Sequence, residues 1–247
     1  MAGILFLISA PSGSGKSTLV NQLRSLVDGL DFSISYTTRA PRGSEQDGRE
    51  YHFISREQFV AMVERGDFLE HAEVFGNFYG TPRTSLTEAA QHDRDLLLDI
   101  DVQGAEQVRQ KVPDAVSVFV LPPNPEVLEM RLRNRSRAEG AVTEDVIERR
   151  LAKARTEIEN YRQYRYILVN NILDKAVEEL TAIVKCERLK RGAVENGSAK
   201  GDLQHLADSA ERCRQGNVIG LEDVLRSFGL GAQMRLPNQQ LFEHGGE

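Results

Sequence analysis

The chain has 247 residues, of which 40% are hydrophobic and 28% are charged, a balance typical of a globular protein with a sizeable core. Its formal net charge of −6 argues against a protein that coats nucleic acid, because such proteins carry a broad positive field. Two cysteines exclude a disulfide scaffold, and no apolar run approaches the roughly 20 residues that span a bilayer. We therefore expect a cytoplasmic protein with reduced thiols and no membrane or nucleic-acid partner.

Apolar runs alternate with amphipathic segments over most of the chain. The runs are typical of short buried strands, which we predict at Ile4–Ser9, Leu96–Asp101, Ser117–Leu121 and Tyr166–Asn170. The amphipathic segments predict helices at Lys16–Val27, Arg56–Arg65, Ala105–Lys111, Pro125–Asn134, Thr143–Tyr161 and Asp174–Lys190. Strands separated by helices favour a parallel sheet with right-handed crossovers, so the predicted fold class is α/β.

Residues 32–83 interrupt this alternation. They contain two β-prone pieces, Phe32–Thr38 and Tyr51–Ile54, with Pro41 and several glycines between them. This composition predicts a small inserted subdomain with β structure.

The composition changes again near residue 192. Small polar residues without periodicity predict a linker there, followed by amphipathic helices at Leu203–Arg214 and Leu221–Phe228. We assign residues 192–247 no function, and disorder, docking on the core and contacts within a homo-oligomer all stay open.

A glycine-rich turn stands between the first predicted strand and the first predicted helix, which is the context that a P-loop requires. Gly13 and Gly15 let successive N–H groups point at one anion, and the helix dipole adds to the attraction. We expect Lys16 to reach the β- and γ-phosphates of a nucleoside triphosphate and Ser17 to ligate Mg²⁺. The predicted loop consists of Ala10, Pro11, Ser12, Gly13, Ser14, Gly15, Lys16, Ser17 and Thr18, with Ala10 where the first glycine usually stands.

Two carboxylates follow the predicted strand at residues 96–101. Ligands of open parallel sheets bind at the carboxyl ends of the strands, which places Asp99 and Asp101 near the phosphate loop. Either Asp99 or Asp101 is a candidate to hold Mg²⁺ or its water shell. The alternative is that the strand simply ends in acidic residues.

Two arginines in the inserted segment, Arg39 and Arg42, lie three residues apart with tyrosines nearby. Guanidinium groups pair bidentately with phosphate oxygens, and a tyrosine hydroxyl adds one more hydrogen bond. Taken alone, such arginines are more often part of a solvated surface. A second cluster of polar and aromatic residues follows at Phe68–Thr81.

The combination of motifs resembles the guanylate kinase family, of the bacterial type. The resemblance covers about residues 3–190 and rests on Ala10–Thr18, Ser35–Arg42, Phe68–Thr81 with its Gly-Asn-Phe-Tyr-Gly run, Leu98–Gly104 and Leu168–Asn171. Several separated motifs in the right order are far more specific than any one of them.

The resemblance implies a P-loop nucleoside monophosphate kinase fold. A parallel-sheet core of residues 1–31, 84–127 and 156–191 would carry a GMP-binding insert of mixed β structure at 32–83 and a helical lid at 128–155. The implied reaction is the transfer of the γ-phosphate of ATP to GMP, giving ADP and GDP with Mg²⁺, in purine nucleotide metabolism.

The resemblance also implies roles for individual residues. The GMP phosphate would be held by Ser35, Arg39, Arg42, Tyr51 and Tyr79, and the guanine would face Glu70, Thr81 and Asp101. A carboxylate at Glu70 can accept from guanine N1–H and the 2-amino group, while Thr81 can donate to O6. Because sites built on such hydrogen bonds reject analogues strongly, we expect GMP to be preferred over AMP.

Arginines are concentrated between residues 131 and 150. The resemblance assigns Arg131, Arg135 and Arg150 to a lid over ATP and the transferred phosphoryl group, where they would join Lys16 and Arg39 as catalytic residues. Arginines that surround this group stabilise its spread negative charge. Arg133 and Arg137 have no such match, and the usual Gly-Arg-Gly is Asn134-Arg135-Ser136 here. Asn170 is expected near the adenine of ATP, followed by Asn171 where Asp is common.

Two other functions stay open from the sequence. Guanylate-kinase-like modules also occur as non-catalytic protein-binding domains, and related P-loop kinases act on other phosphorylated small molecules. The intact P-loop and lid arginines favour an enzyme over the first, and Glu70 and Thr81 favour GMP over the second.

Overall fold

The computed structural model describes residues 3–138, 143–192 and 200–230. The predicted linker at 193–199, the end of the tail beyond residue 230 and residues 139–142 of the predicted lid lie outside these ranges. The strands are β1 at Leu5–Ser9, β2 at Leu30–Phe32, β3 at Tyr36–Thr37, β4 at His52–Phe53, β5 at Phe68–Val74, β6 at Asn77–Pro82, β7 at Asp95–Asp99, β8 at Val116–Leu121 and β9 at Tyr166–Val169.

The helices connect these strands. They are α1 at Lys16–Leu26, α2 at Arg56–Arg65, α3 at Arg83–Gln91, α4 at Val102–Lys111, α5 at Pro125–Ala138, α6 at Glu144–Ile158, α7 at Leu173–Lys190, α8 at Lys200–Arg212 and α9 at Leu221–Ser227. A 3₁₀ turn at Glu159–Gln163 follows α6. Helix α3 has no counterpart among the predicted elements.

The main sheet is parallel, with its strands in the order β2–β7–β1–β8–β9. Successive side chains of a strand point to opposite faces, and β1 is buried on both. Leu5 and Leu7 pack with α4, α5 and α6 on one face, while Phe6 and Ile8 pack with α1 and α7 on the other. The predicted α/β class with a parallel core is confirmed.

A second, mixed sheet is formed within residues 36–82, in the order β4–β3–β6–β5. Its β3–β4 pair is parallel, whereas β6 runs antiparallel to both β3 and β5. The predicted piece at Phe32–Thr38 is divided between two sheets, because β2 pairs with β7 in the main sheet while β3 joins the second. Ser33 marks the crossing, since its backbone N–H still donates to Leu97 of the main sheet at 3.1 Å.

The described part of the tail wraps around the open edge of the main sheet. Helix α8 lies against α7 and buries Ala210 on one face. The chain then runs beside β9, where the Ile167 N–H donates to the Cys213 carbonyl at 2.8 Å. Leu225 and Phe228 are buried on the opposite face, so residues 200–230 dock on both sides of the sheet.

Within residues 3–138, 143–192 and 200–230, no helix is long and apolar enough to cross a membrane.

Candidate active site

One cavity of about 650 Å³ opens at the carboxyl ends of the main-sheet strands and extends to the second sheet. Phosphate-loop residues line one end, and β5 and β6 residues line the other. Helices α5 and α6 contribute arginines to its wall. Its position matches the binding edge expected of open parallel sheets.

The phosphate loop joins β1 to α1 and uses two glycines in the left-handed region. Gly13 has φ 93° and Gly15 has φ 86°, conformations that disfavour any side chain. A Cβ at Gly13 would lie 2.8 Å from Leu128 Cδ1, and one at Gly15 would lie 2.5 Å from Asn170 Nδ2. The loop therefore needs glycine both for its backbone and for its close contact with β9 and α5.

Asn170 and Arg131 hold the outer side of this loop. The Asn170 side-chain amide donates to the Ser14 carbonyl at 2.8 Å, and Arg131 donates to the Ser14 and Asn170 carbonyls, each at 3.1 Å. Burial lowers the pKa of Arg131. Both residues line the cavity, so they support the loop while facing the space beside it.

Lys16 and Asp99 form an ion pair inside the cavity. The Lys16 ammonium also donates to the Ile100 carbonyl at 2.9 Å. The pair forms because β1 and β7 are adjacent and parallel, with Ile8 beside Asp99. Asp101 lies two residues on, where its carboxylate accepts from Gly104 N–H at 2.8 Å and caps α4. The two carboxylates predicted near the loop are both there, and they have different partners.

Glu70 and Thr81 face each other across the β5–β6 pair. The Thr81 hydroxyl donates to Glu70 Oε1 at 2.5 Å, and the Glu70 side chain is only 3% exposed. Burial raises the pKa of Glu70 to about 7; the Thr81 hydrogen bond opposes this rise and the Asp101 charge adds to it. A Cβ at Gly104 would lie 2.2 Å from Glu70 Oε2, so glycine at this position makes room for the carboxylate.

The residues predicted to hold an acceptor phosphate divide into two groups. Ser35, Arg42, Tyr51 and Tyr79 line the cavity, whereas Arg39 is buried beside it. The Arg39 guanidinium pairs with Glu45 at 2.9 Å and lies 5.3 Å from the centre of the Tyr51 ring.

Burial strongly affects Arg39 and its aromatic neighbour. Burial opposes the charge of Arg39, but its contacts with Glu45 and Tyr79 keep its pKa above the usual value. Burial also raises the pKa of Tyr51, and the negative charge of Asp99 adds to the effect. Arg39 Nε has no hydrogen-bond partner within the described part of the chain.

The three arginines predicted to belong to a lid all line the cavity. Arg131 and Arg135 come from α5, and Arg150 comes from α6. The fully buried Ser136 hydroxyl accepts from Arg150 at 2.9 Å, which ties the two helices together. Arg133 instead pairs with Glu129 at 2.7 Å and with Glu144, away from the cavity, as expected for an arginine without a matched role.

The cavity also contains residues that the sequence reasoning missed. Glu157 of α6 lines it and is 7% exposed, while Phe75 lines it from the β5–β6 turn. Helical periodicity gives a signal for Glu157, because it stands seven residues after Arg150 and so lies on the same helix face. Ala72, Val74, Ile100 and Leu173 complete the apolar part of the wall. Thr81 and Asn171 do not line the cavity.

Comparisons with known proteins all point to the same family. The sequence model described as guanylate kinase matches residues 3–187. A guanylate kinase of Koribacter versatilis is 53% identical over 229 residues, covering 92% of this chain and 97% of that protein. The guanylate kinase of Nitrosospira multiformis is 50% identical over 188 residues, with 76% and 88% covered. The crystal structure of guanylate kinase from Anaplasma phagocytophilum superposes with a TM-score of 0.63 at 32% identity, covering 85% of this chain and 96% of that one.

Proposed function

The chain belongs to the guanylate kinase family, and we propose that its cavity carries out this family's reaction, in which the γ-phosphate of ATP is transferred to GMP to give ADP and GDP. One observation carries the proposal. The phosphate loop and Glu70, which suit a triphosphate and a guanine respectively, line a single cavity, and Thr81 donates to the Glu70 carboxylate.

We assign guanine recognition to Glu70. An ionised carboxylate accepts two hydrogen bonds at once, and guanine presents two neighbouring donors, N1–H and the 2-amino group. Adenine has no 2-amino group and turns a lone pair toward the same carboxylate. Thr81 has one hydroxyl proton, which it donates to Glu70, so the role we propose for Thr81 is to orient this carboxylate. The contact of Asp101 with guanine stays a prediction.

We assign the GMP phosphate to the polar residues that line the second-sheet end of the cavity: Ser35, Arg42, Tyr51 and Tyr79. Arg39 lies behind the Tyr51 ring and supports this group, with its Nε still able to donate. The phosphate needs no general base, because its oxygens are already anionic. Transfer then depends on in-line positioning and on neutralising the charge of two anions that must approach each other.

We assign ATP to the end of the cavity formed by Ala10–Thr18, with Asn170 and Arg131 beside it. The Lys16 ammonium would bind the β- and γ-phosphates, and Arg131, Arg135 and Arg150 would surround the group in transfer. Fixed positive charges in a cavity from which water is excluded stabilise the spread charge of the phosphoryl group.

Mg²⁺ fits the side chains at the phosphate loop. The Ser17 hydroxyl and the Asp99 carboxylate are hard oxygen ligands, and Asp99 lines the cavity beside Lys16. Mg²⁺ usually takes one or two such ligands and completes its shell with waters and substrate phosphates. When bound, the ion would neutralise phosphate charge.

We further propose that the enzyme acts in the cytoplasm and serves purine nucleotide metabolism, since both substrates are soluble intracellular nucleotides. The free thiols of Cys186 and Cys213, both buried, are compatible with a reducing compartment.

A coupled assay of ADP release tests the proposed function. With Mg²⁺ and ATP, we expect GMP to support turnover, dGMP to support it more weakly, and AMP to be worse than GMP by about 10⁴-fold or more. Replacing Lys16 with Met should abolish turnover, whereas replacing the outward-facing Arg133 with Ala should leave it unchanged. Equal rates with AMP and GMP would contradict the assignment, and so would ADP release that needs no acceptor.

A further inference from the structure

The turn between β5 and β6 has an unusual residue at its tip. Phe75 and Gly76 form a two-residue hairpin loop with φ 50° and 79°, as a type I′ turn requires. Asn is the favoured residue at the first of these positions, and an aromatic residue in the left-handed region is a strained outlier. The Phe75 side chain is also 53% exposed. Neither the stability of the hairpin nor the burial of the ring explains phenylalanine here.

The ring lies against a cation from the other side of the cavity. The Lys153 ammonium of α6 lies 4.5 Å from the centre of the Phe75 ring, within the range of a cation–π interaction. Phe75 stands in the turn that joins two strands of the mixed sheet, which we assign to GMP, and Lys153 is one helical turn after Arg150, which we predict to belong to the lid. The contact therefore joins the GMP side of the cavity to the lid helix.

The same lysine also contacts Glu157, a carboxylate in the cavity wall. Its ammonium lies 3.5 Å from Glu157 Oε1, and the Glu157 carboxylate is buried in the cavity wall with Oε2 unpartnered among the described residues. Burial raises the pKa of Glu157, while the Lys153 charge and the Ser12 backbone amide oppose that rise. A carboxylate facing a phosphate site needs a nearby cation, and Lys153 provides it.

We infer that Phe75, Lys153 and Glu157 form a bridge across the nucleotide cavity that couples GMP binding to ATP binding. The inference rests on the proposed function, with GMP at the second-sheet end and ATP at the loop end. When GMP binds, it orders the β5–β6 hairpin, and Phe75 then orders Lys153. Lys153 in turn positions Glu157 and the face of α6 that carries Arg150. Lys153 and Phe75 are thus positioning residues: they act on where the hairpin and the lid helix lie relative to each other.

The bridge predicts a measurable coupling. The ratio of the GMP dissociation constants without and with a non-hydrolysable ATP analogue and Mg²⁺, measured by calorimetry, should exceed one in the wild-type protein. Replacing Lys153 with Met should lower this ratio about twofold to fivefold, the worth of a partly exposed cation–π contact. Lys153→Arg should retain most of the coupling, because a guanidinium also binds an aromatic face.

The Phe75→Asn variant distinguishes a loss of the bridge from a loss of folding stability. Asn-Gly is the preferred sequence for a type I′ turn, so this variant should unfold at the same or a higher temperature than the wild type while losing the coupling. The double variant of Phe75→Asn and Lys153→Met should lose no more coupling than either single variant, because each substitution breaks the Phe75–Lys153 contact through which the coupling passes. Lys175→Met, which breaks the similar Lys175–Glu179 pair on α7, is the matched control and should change nothing.

Three results would overturn the bridge: no coupling in the wild type, full coupling in Phe75→Asn and Lys153→Met, or losses that add in the double variant. A weaker GMP affinity in Phe75→Asn alone, with coupling intact, would mean instead that the ring contacts GMP. GMP phosphorylation by the wild type is measured alongside, and its failure would contradict the proposed function rather than the bridge.

Discussion

Ionisation of the buried Glu70 carboxyl group lowers the free energy of unfolding, and a single substitution should reveal this effect. Its pKa is raised to about 7, whereas an unfolded chain would restore a value near 4.5. The folded state therefore binds this proton more tightly than the unfolded state, and stability decreases as the pH rises from about 4.5 to 7. Glu70→Gln removes the ionisation and keeps an oxygen that can accept from Thr81.

The expected difference in unfolding free energy follows from the same pKa. Relative to the wild type, Glu70→Gln should be stabilised by about 1 kcal/mol at pH 5 and by about 3 kcal/mol at pH 8, as upper bounds. For catalysis we expect a loss, whereas for stability we expect a gain. The new amide points a donor at guanine donors, and the loss of two hydrogen bonds to a charged acceptor should lower kcat/KM for GMP by about 10²- to 10⁴-fold.

Denaturant unfolding at pH 5 and pH 8, together with initial rates on GMP and AMP, would measure both effects. Glu73→Gln is the matched control, since Glu73 stands on the same strand but is exposed. A variant that is more stable at pH 8 and unable to distinguish GMP from AMP would support the assignment. If the stability gain does not depend on pH, or if the GMP/AMP ratio is unchanged, Glu70 does not have the role that we propose.

Four further outcomes are expected. In the wild type, KM for GMP should rise as the pH falls from 8 to 6, because Glu70 must be ionised to accept hydrogen bonds from guanine. In Glu70→Gln, the part of this rise that comes from protonation of Glu70 should be absent. Gly104→Ala should raise KM for GMP with little change in KM for ATP, because its Cβ would displace the Glu70 carboxylate. Ser136→Ala should lower kcat more than it raises either KM, since it removes the hydrogen bond by which the Ser136 hydroxyl helps to position the Arg150 guanidinium, and steady-state kinetics would show the split. Phe228→Ala should destabilise the protein by about 3 kcal/mol without changing kcat, because Phe228 packs the tail on the main sheet and does not line the cavity, and thermal unfolding with and without the substitution would measure it.

The sequence predicts the parts of this protein that depend on local patterns. The apolar run Ile4–Ile8 and the glycines that follow it are sufficient to predict strand β1 and the loop to α1, since a buried parallel strand and a P-loop each have a distinctive local sequence. Periodicity likewise predicts α6 and α7 to within a few residues of their observed ends.

The second sheet is harder to predict, because its strands have little local signal. Strands β3 and β4 are two residues long and are stabilised by pairing with distant residues, so Tyr36 and His52 gain their extended conformation from each other. The division between β2 and β3 has the same cause, since only the neighbouring strand decides which sheet a β-prone residue joins. The tail is a similar case, because its short helices are amphipathic in any context and only the open edge of β9 determines where they dock.

Contacts between distant residues also decide what the individual site residues do. The phosphate-loop motif and the strand edge bring Lys16 and Asp99 to one region, and the family resemblance adds Glu70, but neither shows that each carboxylate already has a partner there. Asp99 is paired with Lys16, Glu70 accepts from Thr81, and Glu157 has Lys153 at its side.

These partners resolve an apparent conflict in the electrostatics of the cavity. A site for two phosphate-bearing nucleotides contains several acidic side chains, which would repel both substrates if they were unpaired and ionised. Glu70 and Glu157 have raised pKa values because burial disfavours their charge, while the charge of Asp99 is balanced by Lys16. If the residues have the roles that we propose, nucleotide binding has to exchange partners rather than add charge: guanine donors would favour the ionised form of Glu70, and phosphates would compete with Asp99 for Lys16. An enzyme with this arrangement distinguishes GMP from other nucleotides through this exchange of partners. A ligand that lacks the guanine donors leaves the Glu70 carboxyl buried and unable to ionise at low cost.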